Sequence, residues 1–340
     1  MSVPGRPMTS IRRLRPLLKL LIAASILVVI FRLVPLTDVV GAIASARIAF
    51  LLTSVPVILL IPCLSAARLK ILTDSQGLSL SVPEILEVNF ATRFYGLIIP
   101  GDLATGAWRW FRLAQIENRK AEILAAILFS RLLHLTGLGL LGVIFFAADH
   151  QQGGAAASVA LLLLLGALSL TVFLLWFASR SRVEPGQGAG RLHGLVASVR
   201  SFRNLSRRDW GRLLGLSLAE NLAATVVVYL LALAVQVLLP FVVLGWIRAA
   251  VQLLVLLPIS ISGLGVREVS LLLALEPYGV SGANAVALSL LLFGVSLFTA
   301  LIGGFVELRR HAGGAARRAR TDRPDGPSGR PAAVAPGDSR

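Results

Sequence analysis

The chain is short of the residues that most chemistry depends on. It has one cysteine, Cys63, in 340 residues, which excludes an intrachain disulfide and any multi-cysteine metal site. It has four histidines, far apart in sequence, and no HExxH, P-loop or GxSxG run. Zinc hydrolase, nucleotide-driven and α/β-hydrolase readings therefore have no anchor, and neither an enzymatic activity nor a cofactor is expected. Charged residues make up only 15% of the chain against 56% hydrophobic, and the mean hydropathy is +0.81. A soluble domain of this length would expose too much apolar surface.

What is present is a series of apolar runs of about 20 residues, the mark of a polytopic helical membrane protein. The net charge of +16 raises nucleic acid as a partner, but no fold or motif accompanies the charge. Basic residues concentrated in loops on one membrane side explain it better. They set topology and favour anionic lipid headgroups.

In chain order, residues 1–16 are basic and precede an apolar run at 17–34. A cleavage-like Ala44-Ser45-Ala46 triplet lies about a dozen residues too far on, so a retained first helix is expected rather than a signal peptide. Further spans are expected at 48–69 (with Pro56 and Pro62 as kinks), 121–146, 155–178, 213–239 and 284–306. Gly137–Gly142 reads GLGLLG. Without a strand before it this is no nucleotide fingerprint, and small residues for close helix packing explain it. Residues 179–212 hold eight arginines in a basic cytoplasmic loop, and the basic tail, 311–340, is expected to be disordered. Trp108, Trp110 and Trp246 are expected to be interfacial anchors.

Two stretches break the pattern. Residues 258–268, PISISGLGVRE, place a proline, glycines and an Arg-Glu pair inside an apolar run. Residues 100–109, PGDLATGAWR, repeat proline, glycine and arginine in the same order. Proline removes a backbone donor, and broken backbone at membrane depth survives only where protein buries it or it lines a wet cavity. Both stretches are expected to be the breaks of re-entrant hairpins, at 83–110 and 241–276, although an amphipathic surface helix is an alternative for the first. Of 33 Lys and Arg, 28 then fall on the cytoplasmic side: five at the N-terminus, seven between 68 and 120, eight in the large loop and eight from Arg309 on. The expectation is about six full transmembrane helices plus two re-entrant broken-helix hairpins, an all-α architecture of inverted repeats with both termini in the cytoplasm.

Candidate substrate-binding residues follow from the same stretches. Arg267 is a candidate phosphate ligand, because guanidinium binds phosphate through two parallel hydrogen bonds. Glu268 would orient it or meet a cationic headgroup, with Pro258, Ser260, Gly263 and Gly265 shaping the backbone around them. The competing reading is a buried pair that fixes the hairpin. Being adjacent on a helix, the two diverge by about 100°, so each is expected to face a different group. Arg93, Asp102 and Arg109 form the mirror set, with snorkelling to the interface as the alternative for Arg109. For Arg131, with His134 one turn on, and for Glu220, a ligand site and a polar clamp between helices stand side by side. Arg68 and Lys70 read as charges flanking a span.

These residues carry a resemblance. The run NFATRFYGLIIPGDLATGAWRWFRL (residues 89–113), the arginine at Ser130-Arg131 and the run LLPISISGLGVRE (residues 256–268) resemble the flippase-like membrane family that includes the transmembrane domain of lysylphosphatidylglycerol synthases. P-x-S-x-x-G-x-G-x-R-E is the specific part, and the likeness covers about residues 15–310. The first run departs at Asp102-Leu103-Ala104, where a glycine-richer turn is usual. The resemblance implies a lipid translocase fold in the inner membrane, moving modified phospholipids or polyprenyl- and glycan-linked lipids. Two-domain members add a soluble aminoacyl-transferase domain. Only about 30 residues follow the last expected span here, so lysyl transfer is not carried over. The domain layout expected is 1–16 basic N-terminus, 17–310 flippase-like domain and 311–340 tail. The alternative function is a non-transporting anchor or regulatory subunit for a lipid- or glycan-modifying enzyme.

Overall fold

The computed structural model describes residues 34–98, 102–149, 154–180, 205–256 and 265–321, together with Ser198 and Phe202. These hold ten α-helices and no strand. Five of the helices are long and apolar enough to cross a membrane: α2 (Ile48–Ser75), α5 (Lys120–Ala148), α6 (Gly154–Arg180), α7 (Arg207–Ala234) and α10 (Gly282–Thr321). The first expected span, 17–34, and most of the basic loop lie outside the described residues.

The other helices are shorter. α1 (Leu36–Ala44) leads into α2. α3 (Val82–Ile98) and α4 (Asp102–Ile116) fall within the first irregular segment, α8 (Phe241–Leu256) and α9 (Val266–Leu275) within the second. None of the four reaches the roughly 20 residues that a crossing takes. Within each pair the two helices pack on one another; a Cβ at Gly96 of α3 would sit 3.4 Å from the Thr105 methyl of α4. Residues 99–101 and 257–264, with Pro100, Pro258, Ser260 and Gly263, lie outside the described residues.

Local chemistry starts the helices. Ser81 and Glu84 form a reciprocal capping box at the head of α3: the Ser81 N–H donates to Glu84 Oε2 at 2.8 Å, and the Glu84 N–H to Ser81 Oγ at 3.4 Å. Pro83 sits in that first turn, where its missing N–H costs nothing. Ser206 caps α7 by accepting the Asp209 N–H at 3.1 Å. α7 therefore begins before Leu213, and Arg207, Arg208 and Arg212 of the expected loop belong to its first turns. α2 runs unbroken through Pro56 and Pro62, and the Asn89 amide donates to the Pro62 carbonyl at 3.4 Å.

α2 lies along α7, α3 along α10, and α8 along α5. Gly137, Gly139 and Gly142 serve close packing: added Cβ atoms would meet the Ser217 backbone at 3.2 Å, Leu168 at 3.1 Å and Leu164 at 2.5 Å. The apolar interior is split into two clusters, one holding Leu69, Ile85, Leu113 and Leu133, the other Leu138, Val227, Trp246 and Leu288. Three helices pass from one cluster to the other, and polar residues fill the level between them. Large apolar side chains on the outer faces, among them Leu52, Leu162, Phe173, Leu301 and Phe305, are exposed, as lipid contact requires.

Two expectations are corrected. Trp246 is 2% exposed, buried against Phe146 and donating from Nε1 to Asp149 Oδ2 at 3.0 Å; its indole found a partner inside the protein instead of at an interface. α10 continues to Thr321, so the first part of the expected tail is helical.

Candidate functional site: an arginine-lined cavity

The polar level is organised by Glu220, on α7. Arg68, on α2 and only 3% exposed, bonds Glu220 through Nη1, donates from Nε to Ser130 Oγ at 3.0 Å and reaches Ser217 Oγ at 3.4 Å. His134 Nδ1, on α5, lies 3.5 Å from the other Glu220 oxygen. Asn221, the next residue, donates to the His134 carbonyl at 3.1 Å. Three spans are thus joined by one carboxylate.

Glu220 is also a wall of a cavity of about 350 Å3. Its polar lining is Arg93, His134, Glu220, Arg248, Gln252, Arg267 and Ser296. Its other lining is aliphatic, from Val227, Val251, Leu271, Leu292 and Val295. Six helices contribute besides the Ile61 side chain of α2. Such a mixed lining of guanidiniums and branched aliphatic side chains suits an amphiphile.

The cationic side exceeds the anionic side. Arg109 lies within electrostatic reach of Arg68, Arg93, Arg131 and Glu220, and its Nε and Nη2 atoms are buried without a hydrogen-bond partner. The Arg131 guanidinium lies alongside Gly106 of α4, 3.8 Å from where a Cβ would stand. Among the described side chains, no carboxylate pairs with Arg93, Arg109, Arg131 or Arg248. An isolated arginine at the centre of a bilayer costs roughly 2.5–3.5 kcal/mol on the lenient scale. Such a cluster persists only where water or an anion solvates it.

Arg267 and Glu268 behave differently. Gly265 has φ +84° and caps α9, a conformation that glycine adopts without strain. Its N–H donates to Glu268 Oε2 at 2.6 Å. Ser289 Oγ donates to Glu268 Oε1 at 2.8 Å and accepts from Arg267 Nε at 3.1 Å. Arg267 Nη2 approaches Glu268 Oε1 at 3.4 Å. The pair is not bidentate, as adjacency dictates, but the two do not face separate groups: Ser289 of α10 joins them. Glu268, 1% exposed, is a cap and a clamp, while Arg267 reaches the cavity past it.

The structure therefore brings together Arg93, Glu220 and Arg267, sets Arg109 and Arg131 close by, and keeps Glu268 and Gly265 beneath. Asp102 opens α4, and its side chain lies outside the described set. Arg68, Arg93 and Arg109, counted from sequence among cytoplasmic charges, belong to the helix bundle. Arg248 and Gln252 were missed as ligand candidates. An arginine alone in the apolar run 241–256, with an amide four residues later on the same helix face, was the available signal.

A search of curated proteins returned no match. The family model described as the lysylphosphatidylglycerol synthase TM region matches residues 17–304. Most of this chain, including every residue that lines the cavity, falls within that match, and the protein belongs to the lysylphosphatidylglycerol synthase transmembrane-region family.

Proposed function

We propose that the protein translocates, or binds for translocation, an amphiphilic lipid with a phosphate-bearing headgroup across the inner membrane. The observation that carries this reading is the mixed lining of the cavity, in which Arg93 and Arg248, without a carboxylate partner among the described side chains, stand beside aliphatic side chains. Guanidinium groups suit phosphate, and phosphate is the anion that membrane lipids carry. No covalent chemistry is assigned. Both cavity-side carboxylates are held in bonds, Glu220 to Arg68 and Glu268 to Gly265 and Ser289.

The architecture proposed is a pair of inverted repeats, α2–α5 and α7–α10, each with a re-entrant hairpin, both termini facing the cytoplasm. The packing supports it. Exchange the halves and α3 against α10 becomes α8 against α5, while α2 against α7 maps onto itself; all three contacts are present. The basic loop and tail then offer the cytoplasmic face to anionic lipids or to a lipid- or glycan-modifying enzyme.

The test is lipid co-purification read by mass spectrometry, beside transport of a labelled phospholipid in proteoliposomes. Wild type should enrich a phosphate-bearing lipid above its share of the membrane, and Arg93→Ala should lose both enrichment and transport. Co-purified lipid that mirrors the bulk membrane, together with no transport, would overturn the reading.

A further inference from the structure

Resting on that lipid-binding reading, we propose that the cavity selects a headgroup carrying about two or more negative charges on phosphate and no ammonium group. The substrate class is a lipid phosphomonoester or diphosphate, not an aminoacylated phosphodiester.

The argument begins with which charges remain free. Around the cavity stand Arg68, Arg93, Arg109, Arg131, Arg248 and Arg267, against the carboxylates Glu220 and Glu268. Counting Asp102 as a third acid still leaves twice as many arginines as acids. Arg68 is spent on Glu220, and Arg267 is held by Ser289 and Glu268. Arg93 and Arg248 enter the cavity from different helices, α3 and α8, with no carboxylate pairing them among the described side chains. Arg109, outside the lining but within electrostatic reach of Arg93, has two buried donor nitrogens without a hydrogen-bond partner. One phosphodiester brings one negative charge and two free oxygens to these cations. A phosphomonoester brings roughly −1.5 to −2 near neutral pH and three acceptor oxygens, and a diphosphate brings more, which matches two or three guanidiniums approaching from separate helices.

The same inventory speaks against an amine. An ammonium group is recognised by a free carboxylate or by the faces of aromatic rings. Glu220 already accepts from Arg68 with His134 beside its second oxygen. Both oxygens of Glu268 are engaged, and the residue is closed off from the cavity. No Phe, Tyr or Trp ring stands among the lining residues of the described cavity. A lysyl ester would add two ammonium groups to a chamber already in cationic excess, where neither described carboxylate is free to accept them.

The experiment uses the purified full chain in detergent and three lipids with matched acyl chains: phosphatidic acid, phosphatidylglycerol and lysylphosphatidylglycerol. Inorganic pyrophosphate serves as the headgroup alone. Phosphatidic acid should bind about tenfold or more tighter than phosphatidylglycerol, a difference of about 1.4 kcal/mol per factor of ten, with lysylphosphatidylglycerol weakest. Arg248→Gln should erase most of that preference, and the lipid-free melting temperature should stay near that of wild type. Arg93→Gln, on a separate helix, gives the same readout where Arg248→Gln folds poorly. Lysylphosphatidylglycerol binding as tightly as phosphatidic acid would overturn the selection and leave lipid binding standing. Binding of none of the three lipids would overturn the parent reading. Pyrophosphate binding as tightly as phosphatidic acid would overturn the lipid assignment.

Discussion

The two helical hairpins start from the same sequence signal and hold their arginines in opposite ways. In the second, α8–α9, Arg267 is pinned: Ser289 and Glu268 fix its guanidinium, and Glu268 is itself fixed by the Gly265 N–H. In the first, α3–α4, Arg109 has buried donors with nothing to accept them, and Arg93 stands unpaired in the cavity. The first hairpin is seated instead by backbone contact, with Gly303 of α10 set against the Phe90 carbonyl of α3. A proline–glycine–arginine run therefore does not identify a ligand arginine by itself. Where a carboxylate and a hydroxyl close around it, the arginine belongs to the fold; where they do not, it is available to a ligand.

The largest expected effect tests the pinned side. Glu268→Ala removes the cap of α9, the acceptor of Ser289 and the partner of Arg267, and leaves a buried cation uncompensated. A loss of about 3–5 kcal/mol is expected, read as a large drop in melting temperature and purified yield. A melting temperature close to wild type would show that the network holds nothing together. Next comes the seat of the first hairpin. A Cβ at Gly303 would lie 2.0 Å from the Phe90 carbonyl oxygen, so Gly303→Ala should cost about 1–3 kcal/mol through overpacking. Gly294, on the same helix with nothing within 4 Å of an added Cβ, is the matched control. There alanine should be neutral or stabilise by up to about 1 kcal/mol. The smallest stability effect is expected at Arg109, which gives up no bond on removal. Arg109→Gln should leave thermal stability unchanged or raised while weakening binding of a phosphate-bearing lipid about tenfold. A destabilised Arg109→Gln protein would erase the contrast between the hairpins.

Much of the fold was legible because its causes are local. The apolar runs of span length behind α2, α5, α6, α7 and α10 are each set by residues close together in sequence. The site was legible only in part, since partnership in a helix bundle is long-range. Arg68 looked like a flanking charge because its acceptors, Ser130 and Glu220, come from other helices. Trp246 looked like an interfacial anchor because nothing nearby in sequence announces Asp149. Arg267 was found from its motif, but Ser289, which decides what Arg267 is free to do, carries no motif of its own.

The Arg68–Glu220 bond also constrains how the protein is made. Its two residues are 152 positions apart. At about 5–20 residues per second, α2 waits roughly 8–30 s on the ribosome before α7 delivers the matching carboxylate. During that interval Arg68 has to stay near water or be shielded by the insertion machinery. Helix α2 therefore settles to its final depth late, after more than half of the chain has emerged. Truncation before Glu220 would leave Arg68 without its carboxylate, in addition to the arginines that have none in the full protein.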